Sequence, residues 1–145
     1  MNTLAWLDRL TSIDTTSRNS NLGLIETARD ALKGHGLDPW LNLNAEGTKA
    51  NLFCTLPAQD GATQGGIALS GHTDVVPVDG QNWSSDPFKL TENAGKLYAR
   101  GACDMKGFIA ASLALVPEFM ALPRSKPMHL ALSYDEEISC LGAPF

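Results

Sequence analysis

Hydrophobic positions follow two rhythms along the chain. In residues 3–10, Leu4, Trp6 and Leu7 fall near one helical face and predict a first helix. Between 21 and 33, Leu22, Ile25, Ala28 and Leu32 keep a three-to-four spacing, with Leu24 less regular, and predict a second. Ser20 or Asn21 can cap its start, and Gly34-His35-Gly36 stops it. Short β-prone runs follow at 40–43 and 51–56, and the polar, glycine-rich turn 57–66 could join two neighbouring strands. The apolar run 66–70 (GIALS) suits a strand buried on both faces. Residues 78–90 read as a loop and 96–100 as a further short strand. Residues 105–120 are apolar nearly all round, which predicts a buried helix bent or ended at Pro117. A last strand, 127–133 (PMHLALS), runs into Tyr134-Asp135-Glu136-Glu137. Helices alternating with apolar strands indicate an α/β fold. The chain runs out at 141–145 (LGAPF), an apolar stretch unlike a domain's natural finish.

Composition narrows the classes. With 145 residues, 43% of them hydrophobic and 19% charged, the chain matches an ordinary globular protein with its own core. A net charge of −5 supplies no basic face for nucleic acid. No apolar run approaches the ~20 residues needed to span a bilayer, and the N-terminus lacks a basic-then-apolar leader. The three cysteines are odd in number and widely spaced, with no CxxC pair. A reducing cytoplasm is their simplest home, and a thiolate zinc site is disfavoured.

In α/β sheets chemistry gathers where strands end, and three strand ends carry acids or histidine. The first is Ser70-Gly71-His72-Thr73-Asp74. His72 and Asp74 share one side of an extended segment, so the carboxylate can hold the ring and turn its other nitrogen toward a metal. A histidine simply hydrogen-bonded in a turn is the plainer alternative. The second is the segment from Arg100 to Gly107, where Asp104 either caps the next helix or faces a cation. At the third, Glu136 and Glu137 stand together; they are either solvated acids or a metal ligand beside a proton acceptor. His35 between glycines reads as a surface or cap residue, His129 within an apolar strand as core, and Cys103 beside Asp104 as a poor nucleophile.

The order and wording of these motifs add more than each gives singly. SGHTDVVPVDGQNWSSDPF, LYARGACDMKG and SYDEE resemble the three N-terminal signatures of the dinuclear-zinc metallopeptidase/deacylase family. That family includes acetylornithine deacetylases, succinyl-diaminopimelate desuccinylases, aminoacylases and related carboxypeptidases. The phrase VDGQNW and the opening SIDTTSRNSNLGLIE are most similar to the acetylornithine deacetylase branch. The resemblance implies an α/β catalytic domain with helices packed on a mixed, mostly parallel sheet. It implies that His72, Asp104 and Glu137 bind metal, with Asp104 bridging two ions. Asp74 would orient His72, and Glu136 would be the general acid/base. A cis peptide after the bridging aspartate is also implied.

The implied cofactor is a pair of Zn2+ ions, for which Co2+ can substitute. The implied reaction is hydrolysis of an N-acylated amino acid, with N2-acetyl-L-ornithine yielding L-ornithine and acetate in arginine biosynthesis. A desuccinylase or an aminoacylase stays open, as does a non-catalytic remnant. No nucleic acid or membrane partner is expected. Family members are more than twice as long, so residues 1–145 correspond to the N-terminal portion of the catalytic domain. The remaining two metal ligands, and a lid domain through which the intact enzymes dimerise, have no counterpart in these residues.

Overall fold

The computed structural model describes residues 1–143; Pro144 and Phe145, the end of the apolar stretch 141–145, lie outside the described residues. Helix α1 spans Thr3–Thr11, and the Asn2 side chain caps it by accepting the Ala5 N–H at 2.9 Å. Helix α2 spans Leu22–Gly34 and ends at His35, as the glycine-flanked stop predicts. Its start carries no side-chain bond from Asn21; the Ser20 hydroxyl accepts the Leu22 N–H instead. Asn21 is buried and bridges elsewhere, bonding both Ala50 and Thr73.

Six strands follow. Trp40–Leu43 (β1), Ala50–Leu56 (β2), Ile67–His72 (β3) and Met128–Ser133 (β6) form one sheet in the order β1-β2-β6-β3. Thr91–Asn93 (β4) and Lys96–Tyr98 (β5) form a separate hairpin. The sheet is mixed, as the α/β reading requires. Its balance differs from the mostly parallel expectation: β1–β2 and β2–β6 are antiparallel, and only β3–β6 is parallel among the described strands. The short turn between β1 and β2 allows only antiparallel pairing there.

Two further expectations are corrected. The turn 57–66 does not join neighbouring strands, because β6 inserts between β2 and β3. Strand β3 is not buried on both faces: it is an edge strand, with Ile67, Ala68 and Ser70 exposed and only Gly71 and His72 buried. The interruption expected near Pro117 is present: the 105–120 run is two helices, α3 (Lys106–Ala114) and α4 (Val116–Ala121), broken at Leu115. Pro117 sits in the first turn of α4, where a missing N–H is tolerated.

One apolar core joins these pieces. Leu7 and Leu10 of α1, Leu24, Ile25 and Leu32 of α2, and Ile109 and Leu113 of α3 pack with Leu52 and Leu56 of β2 and Leu130 and Leu132 of β6. Each Leu or Ile so buried stabilises the fold by about 1.5–3 kcal/mol. This core fixes the parallel register that pairs His72 with Ser133, so the chain leaves β3 and β6 side by side at one end of the sheet.

Candidate metal centre

That shared strand end brings two of the chemical segments together. Beyond β3, Thr73 continues the pairing by donating its N–H to Ser133 O at 2.8 Å. The third segment arrives through close packing: a side chain at Gly71 would press within 3.1 Å of the Met105 and Phe108 side chains, so the start of α3 lies tight against β3 here. The turn before α3 holds Asp104, whose peptide bond to Met105 is cis, as the resemblance implies.

His72, Asp74, Asp104, Glu136 and Glu137 therefore meet at one place. The His72 ring is buried; its Nδ1 lies 2.9 Å from Asp74 O and 3.4 Å from Asp74 Oδ1. Those contacts aim Nε2 outward, 3.1 Å from Asp104 Oδ1 and 3.9 Å from Glu136 Oε2. One ligand atom each from His72, Glu136 and Glu137 falls within a 4.8 Å cluster. Asp104 does not act as a helix cap: Met105 holds the cap position without a side-chain bond, and the Asp104 side chain is 75% exposed, open to a ligand.

Asp74 is the hub. Its buried carboxylate accepts the Ser17 hydroxyl at 2.6 Å, the Glu136 N–H at 3.0 Å and the Glu137 N–H at 3.2 Å. Burial opposes its ionisation, but the hydrogen bonds from His72, Ser17 and the two backbone amides prevail and bring the carboxyl down to about 2. The bond to Asp74 is the largest influence on His72; burial opposes it, the Asp104 contact adds to it, and the imidazolium is held up to about 9. Burial raises the Glu137 carboxyl; the His72 charge opposes this, and the charges of Asp104, Glu136 and Asp74 add to it.

The donor set fits a hard or borderline cation. With Nδ1–H donating to Asp74, a neutral ring turns a lone pair toward the Asp104 oxygen, and two acceptors at 3.1 Å attract only with a proton or cation between them. Among the described residues no Lys or Arg forms an ion pair with Asp104, Glu136 or Glu137; the basic side chains pair with Asp79, Asp30 and Asp135 instead. A cation at Nε2 would displace the proton that His72 otherwise holds. His72, Glu136 and Glu137 form the cluster that could hold it, and Asp104 borders the cluster through its 3.1 Å contact with His72 Nε2.

The remaining candidates lie elsewhere. His35 is exposed at the end of α2. His129 is half-buried, stacks on Phe53 and bonds Thr55 and Gly65. Cys103 is exposed. Sequence reasoning missed Ser17, whose hydroxyl bonds Asp74, and Lys49, which pairs with Asp135. No local pattern marks either, since their partners lie 57 and 86 residues away.

An α/β fold whose adjoining strand ends present a buried histidine and clustered carboxylates defines a protein of the metal-binding hydrolase-like class. The family described as peptidase family M20/M25/M40 matches residues 68–145, and the chain belongs to that family. It is 39% identical over 135 residues to an acetylornithine deacetylase from Pasteurella multocida, covering 92% of this chain and 34% of that protein. Human carnosine dipeptidase 1 has a similar solved structure: TM-score 0.80 and 26% identity, over 97% of this chain and 33% of that one. A family M20 metallo-carboxypeptidase from Sulfolobus solfataricus shares the fold at TM-score 0.74 and 23% identity, over 95% of this chain and 32% of that one. The chain thus spans about a third of the length of these relatives. Among the described residues no helix is long and apolar enough to cross a membrane.

Proposed function

We propose that this chain is part of a zinc-dependent amide hydrolase acting on N-acylated amino acids, with N2-acetyl-L-ornithine as substrate and L-ornithine and acetate as products. The convergence of His72, Asp104, Glu136 and Glu137 at one strand end carries the reading. The identity to an acetylornithine deacetylase supports the choice of acyl group and amine, and with it a place in arginine biosynthesis. A cytoplasmic location and dimerisation of the whole enzyme belong to the same proposal.

His72, Asp104 and Glu137 would hold the ions. When bound, two zinc ions supply Lewis-acid polarisation of the amide carbonyl and lower the pKa of water toward about 7. Asp74 keeps the His72 ring turned outward and fixes the backbone that carries both glutamates. Glu136, partly open to solvent, accepts the proton of the attacking water. The oxygen joins the acetyl carbon, the C–N bond breaks, and Glu136 passes the proton to the departing amine.

By the family resemblance this chain supplies three of five metal-ligand positions. Each ion would then have two protein ligands, where catalytic zinc normally has about three. The 145-residue chain alone is therefore expected to turn over little or no substrate. The experiment uses the zinc-loaded product of the complete open reading frame containing these residues. It is offered N2-acetyl-L-ornithine, N-succinyl-diaminopimelate and carnosine in parallel. Acetate release from the first, reduced by about 10²–10⁴-fold in Glu136→Ala, is the expected result. Preference for the succinylated or dipeptide substrate would overturn the deacetylase assignment, and no turnover of any would overturn the hydrolase reading.

A further inference from the structure

We propose that Lys49 is a positioning residue for the metal centre, acting through a closed ring of hydrogen bonds that ties three distant segments to Asp74. The proposal rests on the metal-site reading above.

Lys49 stands just before β2, outside the cluster, and no cation-binding pattern draws attention to it. Its side chain is only 13% exposed and reaches Asp135, itself 7% exposed, at 2.5 Å to Oδ1 and 2.6 Å to Oδ2. The same Nζ donates to the main-chain oxygen of Ser17 at 2.5 Å. These three acceptor atoms satisfy all three ammonium protons, which is what a largely buried lysine requires.

Both acceptors lead to the metal centre. Ser17 turns its hydroxyl to Asp74 Oδ2. Asp135 immediately precedes the glutamates whose backbone N–H groups bind the Asp74 carboxylate. The circuit therefore runs from Lys49 to Ser17, to Asp74, to the amides of Glu136 and Glu137, and back through Asp135. Its members come from the loop before α2, the start of β2, the end of β3 and the end of β6. Asp135 also has φ of +57°, in the left-handed region that a non-glycine residue rarely adopts. The bidentate grip of Lys49 holds this turn, and the turn points the next two amides at Asp74. Without the lysine, Asp135 becomes a buried carboxylate with no cation, and the turn carrying both glutamates loses its anchor.

Lys49 touches neither metal nor substrate in this scheme. It sets the aim of Glu136 and Glu137 relative to His72. Partners of this indirect kind typically change metal affinity by about 10–100-fold.

The test uses Co2+ as a spectroscopic stand-in, added to the metal-free product of the complete open reading frame. The unaltered protein, Lys49→Met, Lys49→Arg and Asp135→Asn are titrated while the visible cobalt bands are followed, and metal-free unfolding is measured for each. The expected result is about 10–100-fold weaker cobalt binding with altered bands in Lys49→Met and Asp135→Asn, and recovery toward the unaltered spectrum in Lys49→Arg. Metal-free Asp135→Asn should unfold within a few degrees of the unaltered protein, which separates positioning from general loss of structure. Unchanged bands and affinity in Asp135→Asn would overturn the proposal and leave the metal site standing, whether or not Lys49→Met folds. Absence of cobalt bands in the unaltered protein would overturn both.

Discussion

Cys54 lies within β2 at 1% exposure, and burial pushes its thiol up to about 11, with the Asp38 charge adding to the effect. Cys103 and Cys140 are exposed. A thiol reagent should therefore titrate two cysteines rapidly in the native protein and the third only on unfolding; rapid labelling of all three would contradict the packing of β2. The pH dependence has a defined sign. A raised folded-state thiol contributes stability that is complete below the ordinary value of 9.0 and is lost as pH rises through about 11. Unfolding midpoints should fall across that window more steeply than in Cys54→Ala. At this scale the sequence made the clustered side chains visible, because His72 and the Glu136-Glu137 pair stand at predicted strand ends. Ser17 and Lys49 stayed hidden, since a hydroxyl and an ammonium acquire their roles only through partners brought close by folding. Asp104 was ambiguous between cap and ligand; Met105 holds the cap position instead, and the exposed Asp104 side chain lies 3.1 Å from His72.

The elements were legible where their signals are local. The apolar spacing of α1 and α2, the glycine stop after α2 and the apolar run of β6 all follow from neighbours in sequence. Strand order was not legible, because hydrophobicity records that a strand is buried and not which strand lies beside it. Hence β3, expected to be buried on both faces, stands at the sheet's edge with Ile67, Ala68 and Ser70 exposed. The 105–120 run was expected as a helix bent or ended at Pro117; the chain breaks two residues earlier, at Leu115, and Pro117 enters the first turn of α4. The junction between Asp104 and α3 supplies a prediction at this scale. A Cβ at Gly107 would lie 2.4 Å from the main-chain oxygen of Ala102, and backbone cannot swing away as a side chain can. Gly107→Ala should cost about 1–3 kcal/mol in denaturant unfolding and disturb the turn that carries Asp104. An unchanged midpoint would show that this turn is looser than its contacts imply.

Across the whole molecule, both edges of the main sheet carry exposed apolar side chains. On β1, Trp40 and Leu43 are 58% and 55% exposed, and on β3 Ile67 is 59% exposed. Edge strands with unpaired backbone groups and apolar side chains invite association with other chains. The isolated 145-residue chain should therefore sediment as concentration-dependent assemblies; a clean monomer across the whole range would count against this. The same sheet geometry places the His72 and Glu137 strand ends side by side, so the centre depends on the β3–β6 pairing as much as on its own residues. The most direct measurement is anomalous diffraction at the zinc edge from a zinc-soaked crystal of the product of the complete open reading frame containing these residues. The account predicts a peak about 2.0–2.1 Å from His72 Nε2, with oxygens of Asp104 or Glu137 completing its protein contacts. Zinc found only at other positions, with His72 still bonded directly to Asp104, would contradict it.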